Sequence, residues 1–326
     1  VSAQSVLVGI AGGQDAQATY AMYNAQGKTI ADALDNISRK MGLIVSLAHC
    51  NVLFVSPAVL KLDHLQLIYP LTGMYALPEQ AILVSGKHAP KEIMALRLGT
   101  TLSSPFFLQQ ALTNEEGSDG MIRTTVKDFA ARSLSRSESN AIPYIIATKM
   151  ENPPMTEQGE GGETYEIDLS RALVFNHEKF KIIEGEPSEL LALFSSRDIV
   201  GTLNYTADDG GSMEFKILGK KIRIKAKGKS IFADMELSVD LSDVQHVNTN
   251  KVLSSADEIV KQYANLLAKQ FEKQLTELFE TSKQCGIDFL NLQDKAYQSV
   301  GRTLPENCLD ELSFFAKVTI KVQETA

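Results

Sequence analysis

A chain of 326 residues, 44% hydrophobic and 22% charged, can bury two or three cores and is not a disordered polymer. Its 32 Lys and Arg against 40 Asp and Glu give a net charge of −8, which disfavours nucleic acid as the main partner. The absence of Trp and an aromatic content of 7% weaken base- or sugar-stacking chemistry.

The first block runs from 1 to 98. Ser5 to Ile10 and Ala18 to Tyr23 read as strands. Thr29-x-x-Asp32 is a capping pattern, and Ile30, Ala33, Leu34 and Ile37 follow at helical spacing. Asn51 to Val55 and Gln80 to Ser85 are buried-strand candidates. Ala89-Pro90-Lys91-Glu92 opens another helix. Strands alternating with helices predict a mixed α/β unit.

A smaller block spans 99–162. Phe106 to Leu112 and Val126 to Leu134 read as helices, the second capped by Thr124 or Thr125. Ala141 to Ala147 reads as a strand, in which Pro143 favours an edge position or a strand start. Glu151 to Glu163 holds Pro153-Pro154 and Gly159-Glu160-Gly161-Gly162, the composition of a linker.

The third block is 163–326. Ala172 to Phe175 is a strand, and Ser188 to Phe194 a short helix entered by Pro187. Met213 to Val239 reads as several strands broken at Gly219 and Gly228. The strongest single element is a helix over 256–284, with a capping box at Ser255-x-x-Glu258 and an apolar stripe through Val260, Leu267, Phe271 and Leu278. Gly286 stands where a C-terminal cap belongs. A helix over Asn291 to Val300 and a strand over Phe315 to Val322 close the chain. The predicted fold class is α+β, as three mixed domains.

Motifs for chemistry are scarce. Gly9, Gly12 and Gly13 follow a strand but lack the spacing of a dinucleotide-binding turn. No P-loop, zinc-protease or serine-hydrolase signature occurs. His49 and Cys50 are the only neighbours of metal-ligand type among the histidines, and adjacent strand residues face opposite ways. Cys50, Cys285 and Cys308 have no C-x-x-C spacing and read as reduced thiols, with a Cys285–Cys308 bridge left open. No catalytic residue, metal site or cofactor is expected. No apolar run approaches the roughly 18 residues of a membrane span. The opening at Val1 is consistent with a leader already cut away.

Charge is concentrated in one place. Lys216 to Lys229 carries seven positive charges and no acid, leaving −15 for the rest of the chain. Lys221, Arg223, Lys225 and Lys227 alternate with Ile222, Ile224 and Ala226, which predicts a strand with one basic face. Two readings follow. The lysines keep an exposed strand from pairing with other chains, or they contact anionic lipid headgroups or an acidic partner.

Several segments, in order, resemble the Ger(x)C family, the C subunits of bacterial spore nutrient-germinant receptors. Gly27-Lys28-Thr29-Ile30-Ala31-Asp32-Ala33-Leu34 is similar to that family's first helix start, and His49 to Ser56 to its next strand. Ala81 to Ala89, Thr125 to Phe129 and Ala141 to Ile145 continue the likeness. Arg171 to Phe175 with Lys179, Gly185 to Leu193, and Gly286-Ile287-Asp288-Phe289-Leu290-Asn291-Leu292 extend it to the C-terminal part. Asn291-Leu292-Gln293 lacks the family's usual glycine, and the Trp common near the final helix is absent.

The resemblance implies a non-enzymatic receptor subunit acting in assembly or signal coupling during nutrient-triggered germination. It implies A and B subunits as partners, and a location on the outer face of the spore inner membrane through a lipidated cysteine upstream of Val1. The competing expectation is a soluble two-lobed protein that closes around a small ligand across the 151–162 linker.

Overall fold

The computed structural model describes residues 5–11, 19–61, 64–98, 104–113, 120–151, 163–195, 201–206, 211–245, 256–300 and 308–323. The chain divides into two compact units. The first comprises 1–113, 124–133 and 142–169, the second 114–123, 134–141 and 170–326. Residues 99–162, set apart from sequence as a small domain, are shared between these units. Backbone bonds explain the sharing within the first unit: Leu83 N–H donates to Thr124 O at 3.0 Å and Val126 N–H to Ala81 O at 2.9 Å. Ile122, by contrast, belongs to the hydrophobic core of the second unit.

The first unit opens with an antiparallel pair, β1 (Ser5–Ala11) and β2 (Thr19–Ala25). Helix α1 (Ile30–Met41) starts as its capping pattern requires: Thr29 Oγ1 accepts from Asp32 N–H at 3.1 Å, and Asp32 Oδ2 accepts from Lys28 N–H at 2.8 Å. Gly27 is demanded here by close approach, since a β-carbon on it would stand 2.3 Å from the Ala33 nitrogen. Strands β3 (Val52–Phe54), β4 (Ile82–Gly86) and β5 (Asn140–Lys149) run parallel, joined by helical crossovers. The intervening helices are α2 (His64–Met74), α3 (Pro90–Met94), α4 (Ser104–Thr113) and α5 (Val126–Ser133). Thr125 caps α5, its Oγ1 accepting from Asp128 N–H at 3.1 Å.

Strand β5 occupies the middle of a five-stranded sheet in the order β3-β4-β5-β6-β7, where β6 is Tyr165–Phe175 and β7 is Phe180–Ile183. Pro143 therefore does not mark an edge strand. The ladder to β4 begins just after it, at Tyr144 and Ile145, so its missing N–H breaks no bond in that ladder.

In the second unit β6 pairs antiparallel with β7 through its last four residues. Helix α6 (Glu186–Ser195) follows, then a four-stranded sheet in the order β11-β10-β9-β8. Its strands are β8 (Gly201–Thr206), β9 (Ser212–Lys227), β10 (Ser230–Gln245) and β11 (Ser313–Val322). β9 and β10 form one long hairpin, whereas β10 and β11 are parallel and are joined through α7 (Ala256–Cys285) and α8 (Gln293–Val300). Helix α7 buries Leu267, Leu275, Leu278 and Phe279 in the core of this unit. Val260 and Phe271 of the expected stripe are partly buried against the same core. Phe279 stacks on Phe314 of β11 with ring centroids 5.1 Å apart. Gly286 ends α7 at φ 67°, a left-handed geometry that glycine adopts without strain. The capping box at Ser255 and the linker core at 152–162 lie outside the described residues.

Gly219 does not break the sheet. The pairing runs Gly219↔Ser238 and then Ile217↔Val239, so Leu218 is an extra residue, a β-bulge. The bulge has a consequence for every side chain beyond it. Before it, Met213, Phe215 and Ile217 face the core. After it, Ile222, Ile224 and Ala226 do so. One inserted residue changes the parity and keeps both apolar sets on one side and Lys221, Arg223, Lys225 and Lys227 on the other, while Lys220 stays on the core side and donates to Leu193 O.

Candidate interaction face

The outer side of the β9–β10–β11 sheet is laid out in cross-strand rows. From the hairpin end they read Lys227–Ser230–Ser313, Lys225–Phe232–Phe315, Arg223–Asp234–Lys317 and Lys221–Glu236–Thr319. The basic residues expected on one strand face, Lys221, Arg223, Lys225 and Lys227, are all exposed and lie side by side. The sequence period of two fixed that much. It did not show that β11, remote in the chain, adds Lys317 and Lys321 to the same face, or that β10 and β11 place two phenylalanines there.

Phe232 and Phe315 are stacked at 5.2 Å with an interplanar angle of 17°. They remain 41% and 52% exposed. Two aromatic rings left this open on a sheet are unusual, since such surface is normally removed from water. Glu236 accepts from Lys321 Nζ at 2.8 Å. That bond, with Lys321, Lys221 and Arg223 as neighbouring cations, holds the Glu236 carboxyl below the usual carboxylate range despite some desolvation. The carboxylate therefore stays ionised and engaged, while Lys225 and Lys227 face no carboxylate in their rows.

The outer edge of β9 is covered near the hairpin by α8. Ser299 Oγ donates to Ala226 O at 3.0 Å and accepts from Gly228 N–H at 3.3 Å. The start of α8 is set by a buried carboxylate. Asp288, 1% exposed, accepts from Leu292 N–H at 3.0 Å and Gln293 N–H at 2.8 Å, and its own N–H donates to Ser139 Oγ at 3.2 Å. This gives the Gly286-Ile287-Asp288 segment a structural reason: the acid satisfies the free amides of a helix start. Gln293 extends the network, its Oε1 accepting from Cys308 N–H at 3.1 Å.

The three cysteines are free thiols. Burial pushes Cys50, Cys285 and Cys308 all above the ordinary thiol range, the reverse of what an activated nucleophile needs. Among the described residues no cluster of His, Cys, Asp and Glu could hold a metal ion. Among the described residues, too, no helix is long and apolar enough to cross a membrane.

Two family models match in order along the chain. One, described as the spore germination protein N-terminal domain, covers residues 1–147. The other, described as spore germination B3/GerAC like, C-terminal, covers residues 170–325. The chain belongs to the Ger(x)C family of spore germinant receptor C subunits. A solved structure, the crystal structure of the GerBC protein, shares its fold over 99% of this chain and 98% of that one, with a TM-score of 0.56 at 11% identity. No curated protein matches the sequence. Within the family fold, the basic sheet face lies wholly in the C-terminal matched segment. The capped α1 start lies in the N-terminal one.

Proposed function

We propose that this chain is a non-enzymatic subunit that assembles with the A and B subunits of a germinant receptor and couples nutrient sensing to germination. The observation that carries this reading is the ordered match of both spore-germination domain models across almost the full length of the chain. The family likeness further supports a lipoprotein anchored on the outer face of the spore inner membrane, by a lipidated cysteine upstream of Val1. A two-chain lipid anchor holds such a body firmly, where one acyl chain gives only marginal binding.

The test is a deletion of the gene in its own spore-former, with quantification of the A and B subunits in spore membranes. Loss of the nutrient response together with depletion of the A and B subunits is expected, and re-expression of the full-length precursor restores both. A normal nutrient response in spores lacking the chain, with no other subunit of this family present, would overturn the proposal.

A further inference from the structure

We infer that the outer face of the β9–β10–β11 sheet is a docking surface for an anionic lipid bilayer, with the Phe232–Phe315 pair entering the interfacial layer and the surrounding lysines reaching the phosphates. The inference rests on the face itself and goes beyond the receptor reading, which can stand or fall separately.

Three features coincide. First, whereas the far part of the face carries Lys216 with Glu214, Asp240 and Asp243, the part nearer the hairpin gathers six basic side chains, Lys221, Arg223, Lys225, Lys227, Lys317 and Lys321, against the two carboxylates of Asp234 and Glu236. It does so on a chain whose net charge is −8. Such a local reversal of sign orients a body toward an anionic surface, within a screening distance of about 8 Å at physiological salt. Second, the uncompensated part of that charge and the exposed apolar area sit together. The row of Lys225, Phe232 and Phe315 lies directly beside the row of Lys227, both at the hairpin end of the sheet. Third, the face is an open pleated surface, and five of its six cations are lysines.

These features favour lipid over an acidic protein. A specific carboxylate partner is best held by arginine forks of fixed geometry. Lysines on flexible apolar stems act as point charges. They can follow a fluid layer of phosphates while their methylenes lie along buried apolar surface. Stacked aromatic rings flanked by Lys225, Lys227, Arg223 and Lys317 place apolar area at the depth of the headgroup boundary and charge just outside it, the arrangement of interfacial binding.

The experiment uses the purified full chain and sedimentation with vesicles of phosphatidylglycerol and phosphatidylcholine, at about 50 mM and about 500 mM NaCl. Binding to the mixed vesicles at low salt is expected, with loss at high salt and none on phosphatidylcholine alone. Lys225→Gln with Lys227→Gln should weaken binding about tenfold or more. Phe232→Thr with Phe315→Thr should also weaken it, with circular dichroism confirming that each variant is folded. Lys261→Gln with Lys269→Gln removes the same charge from exposed positions on α7 and should bind as wild type. The lysine pairs keep the test decisive even if the phenylalanine variant misfolds. Failure of the wild-type chain to sediment with mixed vesicles at low salt overturns the inference. So does equal binding to phosphatidylcholine, or an equal loss in the α7 control. Salt-sensitive binding to soluble polyglutamate without vesicle binding also overturns it, in favour of an acidic protein partner.

Discussion

The inner and outer faces of the C-terminal sheet are made from the same strands and share the same ladder of hydrogen bonds, but they spend their side chains differently. The inner face packs Phe215, Ile231, Met235 and Val239 with α7 and is closed to water. The outer face exposes lysines and a stacked aromatic pair. The difference teaches that the division of labour is carried by parity alone. A single bulged residue, Leu218, maintains that parity along β9.

Deleting Leu218 is therefore the most severe way to break the arrangement. Without it, either the residues from Gly219 to Lys227 turn their basic set inward or those before it turn Met213, Phe215 and Ile217 outward. Loss of the cooperative unfolding transition of the second unit is expected, by calorimetry or denaturant titration. Leu218→Ala keeps the count and removes only a half-exposed side chain, so its unfolding free energy should stay within about 0.5 kcal/mol of wild type. Equal effects of deletion and substitution would show that the bulge does not set the parity.

Next in size is Phe279→Ala on the inner side. This ring is 1% exposed and stacks on Phe314, so truncation should cost about 3–5 kcal/mol, read as a lower denaturant midpoint at unchanged slope. A smaller loss is expected at the sheet edge. Asp288→Ala leaves the Leu292 and Gln293 amides without their acceptor and should cost about 1–3 kcal/mol. Faster amide exchange confined to α8 and the adjoining end of β9 would locate the effect. Exchange unchanged at Leu292 and Gln293 would show that the cap does not hold α8.

Much of this was legible in the sequence because local rules sufficed. Thr29 and Asp32 announced α1, the stripe through Leu267 and Leu278 announced α7, and the alternation from Lys221 to Lys227 announced a basic strand face. Helix α2 was missed because Pro70 sits inside it and its apolar residues surround the axis, which blurs the helical period. The short strand β7 shows no alternation at all: three exposed residues precede one buried. The Phe232–Phe315 pair and the addition of Lys317 and Lys321 depend on a parallel pairing across α7 and α8, which no sequence window contains. Asp288 was visible only as one letter of a motif, because its role lies in amides that have no sequence signature.

The most direct measurement of the separation between the two faces is the denaturant midpoint of a chain carrying Lys221→Gln, Arg223→Gln, Lys225→Gln and Lys227→Gln, compared with Phe279→Ala in the same buffer. If the outer face is free for contact and the inner face holds the fold, the fourfold variant stays within about 1 kcal/mol of wild type, because exposed charges contribute little to stability. A loss approaching that of Phe279→Ala would contradict the separation and place the basic row among the residues on which folding depends.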